Sequence, residues 1–273
     1  MAECLFPLPS KKPCGKSAVS GTESKYGPLC ARHARETKAV AVPSATVRKV
    51  MIGTLSYDGR IDVRFADALL NTIRAAPPNV TIIPIYMSYD SLIQRARNDT
   101  VALALNNGFD DLIFIDSDIE WDPAWIFKLL DYPVDVVGGT YRKKTDDEEL
   151  YVIKQIENPA PVDTRTGLMK VDGIGCGFVR LSRKAMQHLW DVSEPYEDRG
   201  EKRMIFEVLV EDGEILSEDI YMCQKLNRGG IPVHLDARMC CNHTGIKRFQ
   251  GNFFDYYQRL LEGLKSTDYE KEV

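Results

Sequence analysis

The chain contains no uncharged apolar stretch of the eighteen or so residues that a membrane-spanning helix requires. Residues 1–10 also lack the basic start and apolar core that mark a secretory signal. We therefore expect a soluble, cytoplasmic protein without a membrane span.

Histidine and tryptophan are scarce, at four and three of 273 residues, and the seven cysteines are odd in number and scattered. Such a set is unlike the paired cysteines of a disulfide framework, so we expect a reducing compartment. With 44% apolar residues, the chain is long enough to bury a sizeable α/β core without cross-links.

The net charge of −5 conceals an asymmetry along the chain. Residues 1–50 carry nine Lys and Arg against three Asp and Glu, a net +6, whereas the rest of the chain carries −11. A basic amino-terminal segment followed by an acidic remainder indicates two parts with different partners. The alternative is that the basic segment is a solvated, partly disordered tail. Because residues 1–45 also lack sustained periodicity, we predict a small module there and a main domain over 46–273.

Strand and helix patterns alternate from Val47 onward. Alternation at these lengths predicts an α/β fold with a parallel, doubly wound sheet, whose ligands bind beyond the carboxyl ends of the strands. Strands are predicted at 47–59, 80–88, 111–116, 134–144, 171–183 and 231–237, and helices at 62–76, 91–108, 217–230 and 253–266. A charged excursion is predicted from Thr145 to Pro161.

Two aspartates directly follow the third predicted strand, in LIFIDSD. Because strand side chains alternate with a period of two, Asp116 and Asp118 face the same side. Mg²⁺ and Mn²⁺ prefer oxygen ligands and often share phosphate oxygens with a substrate, so the pair predicts a divalent-cation site for a diphosphate. A simple turn or helix cap is the alternative, because Asp-x-Asp is common in loops.

Five ordered motifs over about residues 48–245 resemble glycosyltransferases of the GT-A fold, in particular the family-2-like enzymes of phages and large viruses. The motifs are TLSYDG, QRARN, FIDSDIEWDP, GIGCGF and the segment from LSED to CCNHTG. The resemblance implies a doubly wound, Rossmann-like domain. It also implies a metal-dependent, inverting transferase that uses a nucleotide-sugar donor, with UDP as the default nucleotide of the family.

The resemblance also assigns roles to individual residues. Asp118 is implied as the principal carboxylate for Mn²⁺ or Mg²⁺, Asp116 as shared between the metal and donor hydroxyls, and His243 as the third ligand. A hydrogen-bonded structural histidine is the alternative for His243. Donor binding is implied for Thr54, Tyr57, Asp58, Arg95, Arg97, Asn98, Ser117 and Lys247. Lys247 and its neighbour Arg248 would form a cationic flap, although such pairs are more often solvated.

The sugar and acceptor pocket is implied at Gly175, Cys176, Gly177 and Trp121, where small residues let a ligand approach the backbone. Trp121 and Tyr141 could stack on a sugar or base, and packing in the core is the alternative for both.

A single-displacement reaction needs a base for the acceptor hydroxyl. Asp219 matches the base position of the family, and Glu218 would orient the acceptor or its neighbours. The alternative is that Ser217, Glu218 and Asp219 only cap a helix, because these residues are favourable at a helix start.

The amino-terminal residues Cys4, Cys14, Cys30 and His33 are spaced C-x9-C-x15-C-x2-H. They resemble the small zinc modules of phage homing endonucleases and related DNA-acting proteins, although the first gap is longer than usual there. A structural Zn²⁺ is implied, with buried free cysteines as the alternative. A basic zinc module beside a sugar transferase predicts a DNA acceptor, such as a hydroxymethylated pyrimidine in phage DNA, and the host cytoplasm as its location.

Three alternative functions stay open at this point. The same chemistry could act on a protein or a surface glycan. A nucleotidyltransferase would use the same carboxylates but attack the α-phosphate of its substrate. A non-catalytic binding protein could also retain the scaffold of a transferase.

Overall fold

The computed structural model of the chain describes residues 23–24, 27–28, 47–145, 149–154, 162–245 and 247–269, with side chains described only between residues 47 and 262. The chain divides into two compact units, Met1–Val47 and Arg48–Val273. In the first unit, strands β1 (Glu23–Ser24) and β2 (Gly27–Pro28) pair in antiparallel register. The predicted zinc ligands Cys4, Cys14, Cys30 and His33 lie outside the described residues.

The second unit begins with alternating strands and helices, as the periodicity predicts. These elements are β3 (Arg48–Ser56), α1 (Val63–Ala75), β4 (Val80–Ser88), α2 (Ile93–Asn106), β5 (Asp111–Ile115), β6 (Ile119–Glu120), α3 (Pro123–Asp131) and β7 (Val136–Tyr141). The helix starts follow local capping chemistry. The side chain of Asp62 accepts a hydrogen bond from the Arg64 N–H at the start of α1, and Asp122 caps α3 in the same way, directly before Pro123.

The rest of the unit is less regular. It contains β8 (Ile153–Lys154), β9 (Leu168–Val171), β10 (Gly173–Ile174), β11 (Phe178–Ser182), α4 (Arg183–Val192), β12 (Pro195–Glu197), β13 (Glu201–Arg203), β14 (Leu209–Glu211), β15 (Glu214–Leu216), α5 (Glu218–Arg228), β16 (Val233–Thr244), β17 (Arg248–Phe249) and α6 (Phe253–Tyr269). The single strand predicted over 171–183 is therefore wrong. The chain turns at Gly175–Gly177, so that β10 pairs with β8 while β11 enters the main sheet.

The main sheet has the strand order β17-β16-β7-β11-β5-β3-β4, and β6 and β9 also pair with β16. β3 is parallel to β4 and β5, and β16 is parallel to β7. β11 is antiparallel to both of its neighbours, β5 and β7. Of the six neighbouring strands β16, β7, β11, β5, β3 and β4, all except β11 therefore run in one direction. This confirms the predicted α/β class with a mostly parallel sheet, and it is compatible with a Rossmann-like arrangement.

Alternating residues of the central strands belong to two separate hydrophobic clusters. Met51 and Leu112 belong to a cluster that includes residues of α2, α4 and α5, whereas Val50 and Ile113 belong to a cluster that includes residues of α1 and α3. Because strand side chains point alternately to opposite faces, the sheet is covered by helices on both sides. This leaves the carboxyl ends of β3, β4 and β5 as the open edge where loops can form a site. Within the described residues, no helix is long and apolar enough to cross a membrane.

Candidate functional site

A cavity of about 290 Å³, here called the acidic cavity, lies beyond the carboxyl ends of β3, β4 and β5. Parallel strands deliver their carboxyl ends to one edge of a sheet, so the loops that follow them meet there. The lining residues are Leu55, Ser56, Tyr57, Met87, Asp90, Ser91, Ile93, Ala96, Asp116, Ser117, Asp118 and His243. Of the eleven residues predicted to bind the donor or its metal, five line this cavity: Tyr57, Asp116, Ser117, Asp118 and His243.

The backbone of the Asp116–Asp118 turn is fixed from several sides. The Asp116 N–H donates to the Gly177 carbonyl at 3.2 Å, and the Ile119 N–H donates back to the Asp116 carbonyl at 3.1 Å. The Asp118 carbonyl accepts from the Thr244 N–H at 2.8 Å. The turn is therefore held by Gly177, directly before β11, and by Thr244 of β16, and both aspartates line the cavity.

Arg97 contacts two of the acids implied in catalysis. Its guanidinium lies 3.6 Å from the Asp116 carboxylate and 2.5 Å from the Glu218 carboxylate. Burial raises the pKa of Asp116, although Arg97 acts in the opposite direction. Burial disfavours the charge of Arg97, but Cys176, Asp116 and Glu218 hold its pKa above the ordinary value. Arg97 therefore remains a cation between two carboxylates, and it is only 3% exposed.

Asp118 is surrounded by basic groups. The Lys144 ammonium lies 2.5 Å from its Oδ2, and the His243 Nε2 lies 3.6 Å from its Oδ1. Burial alone would raise the pKa of Asp118, but hydrogen bonds from His243 and Lys144 hold it below the ordinary value. Nδ1 of His243 lies 2.9 Å from the Arg142 carbonyl, which orients the ring toward Asp118. Sequence reasoning missed Lys144, although its position in a basic run after a strand was an available signal.

The positions of Asp116, Asp118 and His243 can be compared with the geometry that Mn²⁺ or Mg²⁺ requires of its ligands. Metal–ligand bonds of about 2.1 Å let two ligand atoms stand up to about 4 Å apart, so Asp118 and His243 fit one cation. Asp116 lines the same cavity, and a cation there would stabilise its negative charge. However, no three His, Cys, Asp or Glu side chains in the described ranges are grouped closely enough to hold a metal. A cation at this position would therefore require Lys144 to leave Asp118 and the three side chains to move closer together.

Asp219 and Glu218 form the first turn of α5. The Ser217 hydroxyl donates to Asp219 Oδ1 and does not cap the helix, and the Ile220 N–H donates to the same oxygen at 2.8 Å. These contacts orient the Asp219 carboxylate. Glu218 is committed to the ion pair with Arg97.

The residue of the QRARN motif that lines the acidic cavity is not one of those predicted to bind the donor. Ala96 lines the cavity, whereas Arg95 forms a two-bond ion pair with Asp90 at 2.7 and 2.8 Å. Asn98 is 1% exposed, and its side-chain oxygen accepts from the N–H groups of Ile205 and Phe206 at 3.1 and 2.9 Å. The motif therefore builds the wall of the site, and its basic groups are engaged by acids of the protein.

The glycines of GIGCGF make room for a side chain of the protein. A Cβ atom at Gly175 or Gly177 would lie 2.5 Å from the Tyr141 hydroxyl, which accepts a hydrogen bond from the Gly177 N–H at 3.1 Å. The Tyr141 ring also meets His243 edge to face at 5.0 Å. Tyr141 thus connects the glycine-rich turn to His243, and burial raises its pKa well above the ordinary value. Cys176 is fully buried beside this turn.

Four other predicted residues are placed away from the acidic cavity. Trp121 lies in the hydrophobic core, where its indole N–H donates to Thr72 and its ring meets Phe65, so a sugar-stacking role is not supported by its position. Thr54 is 1% exposed, and Asp58 is exposed in the turn after β3. The Lys247 ammonium lies 5.3 Å from the centre of the Phe249 ring, and the adjacent Arg248 pairs with Glu120 at 2.5 Å.

No family model matches the chain, and no curated protein matches it either. Among solved structures, the chain is similar to the crystal structure of A197 from STIV, with a TM-score of 0.48 and 18% sequence identity. The similarity covers 72% of this chain and 86% of that chain. A likeness at this level does not bear on activity.

Proposed function

We propose that the chain is a glycosyltransferase that moves a sugar from a nucleotide-sugar donor, bound in the acidic cavity, to an acceptor hydroxyl. The observation that carries the proposal is the convergence of Asp116, Asp118 and His243 on one cavity beyond the carboxyl ends of three parallel strands. Open α/β sheets bind their ligands at this edge. The cavity volume of about 290 Å³ is near the lower end of small-molecule sites.

The donor diphosphate belongs at the acidic cavity because a cation held there would offset its charge. Asp118, His243 and Asp116 would hold Mn²⁺ or Mg²⁺, which when bound stabilises the negative charge that develops on the departing nucleoside diphosphate. Lys144 lies on the same carboxylate and can turn to the diphosphate when released. Tyr57 is 74% exposed beside the cavity and offers an aromatic face to the donor.

Asp219 is the residue that we assign as the general base. As the acceptor oxygen forms a bond to the anomeric carbon, the bond from that carbon to the diphosphate oxygen breaks and the acceptor proton passes to Asp219. Such a single displacement inverts the anomeric centre. The contacts from Ser217 and Ile220 orient the carboxylate for this role, and Glu218 keeps Arg97 beside it.

The first experiment is a thermal-shift panel of nucleotide sugars with and without Mn²⁺. A donor at one hundred times its Kd stabilises the folded state by about 2.7 kcal/mol, which for a domain of this size raises Tm by about 5–10 °C. Asp118→Asn should abolish the shift and lower transfer by about 100-fold or more. Asp131→Asn, an exposed acid at the end of α3, is the matched control and should behave as wild type. An unchanged shift and rate in Asp118→Asn would refute the proposal.

The released product separates the enzyme classes. A glycosyltransferase releases a nucleoside diphosphate, whereas a nucleotidyltransferase releases pyrophosphate. A binding protein would show the thermal shift without either product.

For the acceptor, we propose DNA, with the amino-terminal module holding one Zn²⁺ and contacting the phosphate backbone. Its support is the basic charge of residues 1–50 and the spacing of Cys4, Cys14, Cys30 and His33. A protein or surface glycan is the competing acceptor, with the module then serving to dock a protein.

A further inference from the structure

A second cavity, of about 370 Å³, lies on the opposite side of the first turns of α2. At 100° per residue, Gln94, Arg95 and Asn98 fall on the side of the helix opposite to Ile93 and Ala96, which line the acidic cavity. We call it the aromatic cavity, because Tyr196 and Phe206 line it together with Leu92, Met204 and Val208. The proposed donor does not account for it.

The wall of the aromatic cavity is already in place. The hydrogen bonds from the Ile205 and Phe206 N–H groups to Asn98 fix the segment between β13 and β14 against α2. Phe206 is fully buried and meets Phe114 of β5 edge to face at 5.6 Å. A ligand would therefore enter a preformed cavity and would not have to order a loop.

Two features of the lining are costly unless a ligand covers them. Leu92 and Val208 are 52% and 46% exposed and leave apolar surface in water. The Tyr196 hydroxyl is buried beside Asn98, and within the described ranges it makes no hydrogen bond of good geometry. A buried hydroxyl without a well-formed hydrogen bond is destabilising, and a ligand with a hydrogen-bonding atom would offset that cost.

The lining also indicates the class of ligand. Phe206 is fully buried, so the groups that a flat aromatic ring would contact favourably are the partly exposed phenol of Tyr196 and thioether of Met204. A polyanion is disfavoured, because Arg95 is already paired with Asp90 and Glu207 adds a negative charge to the lining. A bare carbohydrate would need more polar partners than the mainly apolar lining offers.

We propose that the aromatic cavity binds the acceptor through a flat aromatic ring that carries a hydrogen-bonding atom at its edge. This inference rests on the proposed transfer reaction. The buried Arg97 lies between the two cavities, since its guanidinium contacts Asp116 of the acidic cavity and lies 5.8 Å from the Phe206 ring centre. It also pairs with Glu218, the residue before the proposed base. A nucleobase and a phenolic small molecule share the required ring.

The test measures binding of two ring probes to the full-length protein without donor. The fluorescent phenol 4-methylumbelliferone is followed by its own emission, and the nucleoside 5-hydroxymethyl-2′-deoxyuridine is followed by calorimetry. Leu92→Glu and Val208→Glu place a charge at half-exposed positions of the lining and should weaken binding at least tenfold. Leu70→Glu on α1 and Val192→Glu at the end of α4 start from 50% and 51% exposure, and should leave binding unchanged.

Thermal unfolding of all four variants verifies that each is folded. The probe that binds more tightly shows whether the acceptor ring is a phenol or a nucleobase. If neither probe binds while a nucleotide sugar still raises Tm, the inference is overturned and the proposed function stands. Displacement of the probe by a nucleotide sugar, or equal loss of binding in the control variants, also overturns it. If the probes bind as expected but no donor binds or reacts, the acceptor role fails together with the proposed function.

Discussion

At the scale of single residues, the contact between Lys144 and Asp118 has a direct functional consequence. At the proposed metal site, the ammonium group and the divalent cation would compete for the same carboxylate oxygens, so the apparent affinity for metal would include the cost of displacing Lys144. Both side chains are more than one-third exposed, and solvent screens their attraction. The lysine is therefore a moderate competitor.

We predict that Lys144→Met binds Mn²⁺ about two- to fivefold more tightly than wild type, which corresponds to the loss of an exposed ion pair. Isothermal calorimetry or Mn²⁺ paramagnetic resonance measures the change. Lys143→Met, which removes the same charge from the adjacent exposed position, is the control and should leave the affinity unchanged. Equal affinities in wild type and Lys144→Met would contradict the competition.

Burial of individual side chains was the part of the site that sequence could not predict. The QRARN motif was correctly predicted to lie on a helix, but Arg97 is buried because Glu218, 121 positions later, meets its guanidinium. Asn98 is buried because the backbone of residues 205–206 bonds to it. Contacts over such distances in sequence leave no mark in local periodicity.

At the scale of elements, periodicity predicted the first half of the sheet well. β4 was predicted at its observed bounds of 80–88, and α1 and α2 within two residues. α3 was missed although Asp122 and Pro123 are a favourable helix start, and α4 was missed because its start was assigned to the preceding strand. The reversed direction of β11 was also not foreseen, since strand direction depends on pairing partners that local pattern does not encode.

The link between α3 and β16 depends on one buried acid, Asp236. Its carboxylate is fully buried and accepts hydrogen bonds from Lys128 at 2.5 Å and from the Tyr132 hydroxyl at 2.7 Å. Burial alone would raise the pKa of Asp236, but these bonds hold it below the ordinary value of 3.8. Because the pKa is lower in the folded state, the ionised group stabilises the fold above the unfolded pKa, and this contribution is lost as pH falls through the folded pKa.

We therefore predict that Asp236→Asn is less stable than wild type at pH 7 by about 1–3 kcal/mol, and that the difference shrinks as pH falls below about 4. Urea unfolding at a series of pH values measures both quantities. Asp67→Asn, at an exposed position on α1, is the control and should follow wild type throughout. A pH-independent difference between Asp236→Asn and wild type would refute this account.

At the scale of the whole molecule, the chain joins a basic amino-terminal unit to an acidic α/β unit. The acidic unit alone would repel DNA, so a DNA acceptor requires the basic unit to supply the attraction. The zinc prediction concerns residues outside those that the structure describes, and composition and spacing remain its basis.

We predict that the purified full-length protein holds about one zinc ion and that its affinity for DNA falls steeply with salt. Cys30→Ser and His33→Ala should lose the metal and weaken DNA binding, while the thermal shift with a nucleotide sugar is retained. Atomic absorption and a salt series of fluorescence anisotropy measure the two effects. Cys223→Ser, a buried cysteine of α5, is the control for loss of a thiol alone. Zinc-free protein that binds DNA normally would contradict the prediction.

The position of Arg97 has one further consequence. A single guanidinium in contact with the walls of both cavities cannot adjust to one occupant without altering the environment of the other. Donor and acceptor should therefore show thermodynamic synergy, each changing the dissociation constant of its counterpart by an identical factor. In Arg97→Lys, the shorter side chain loosens the contact with one cavity wall. The factor by which donor and acceptor change each other's dissociation constant should then fall toward one, even where each molecule still binds alone.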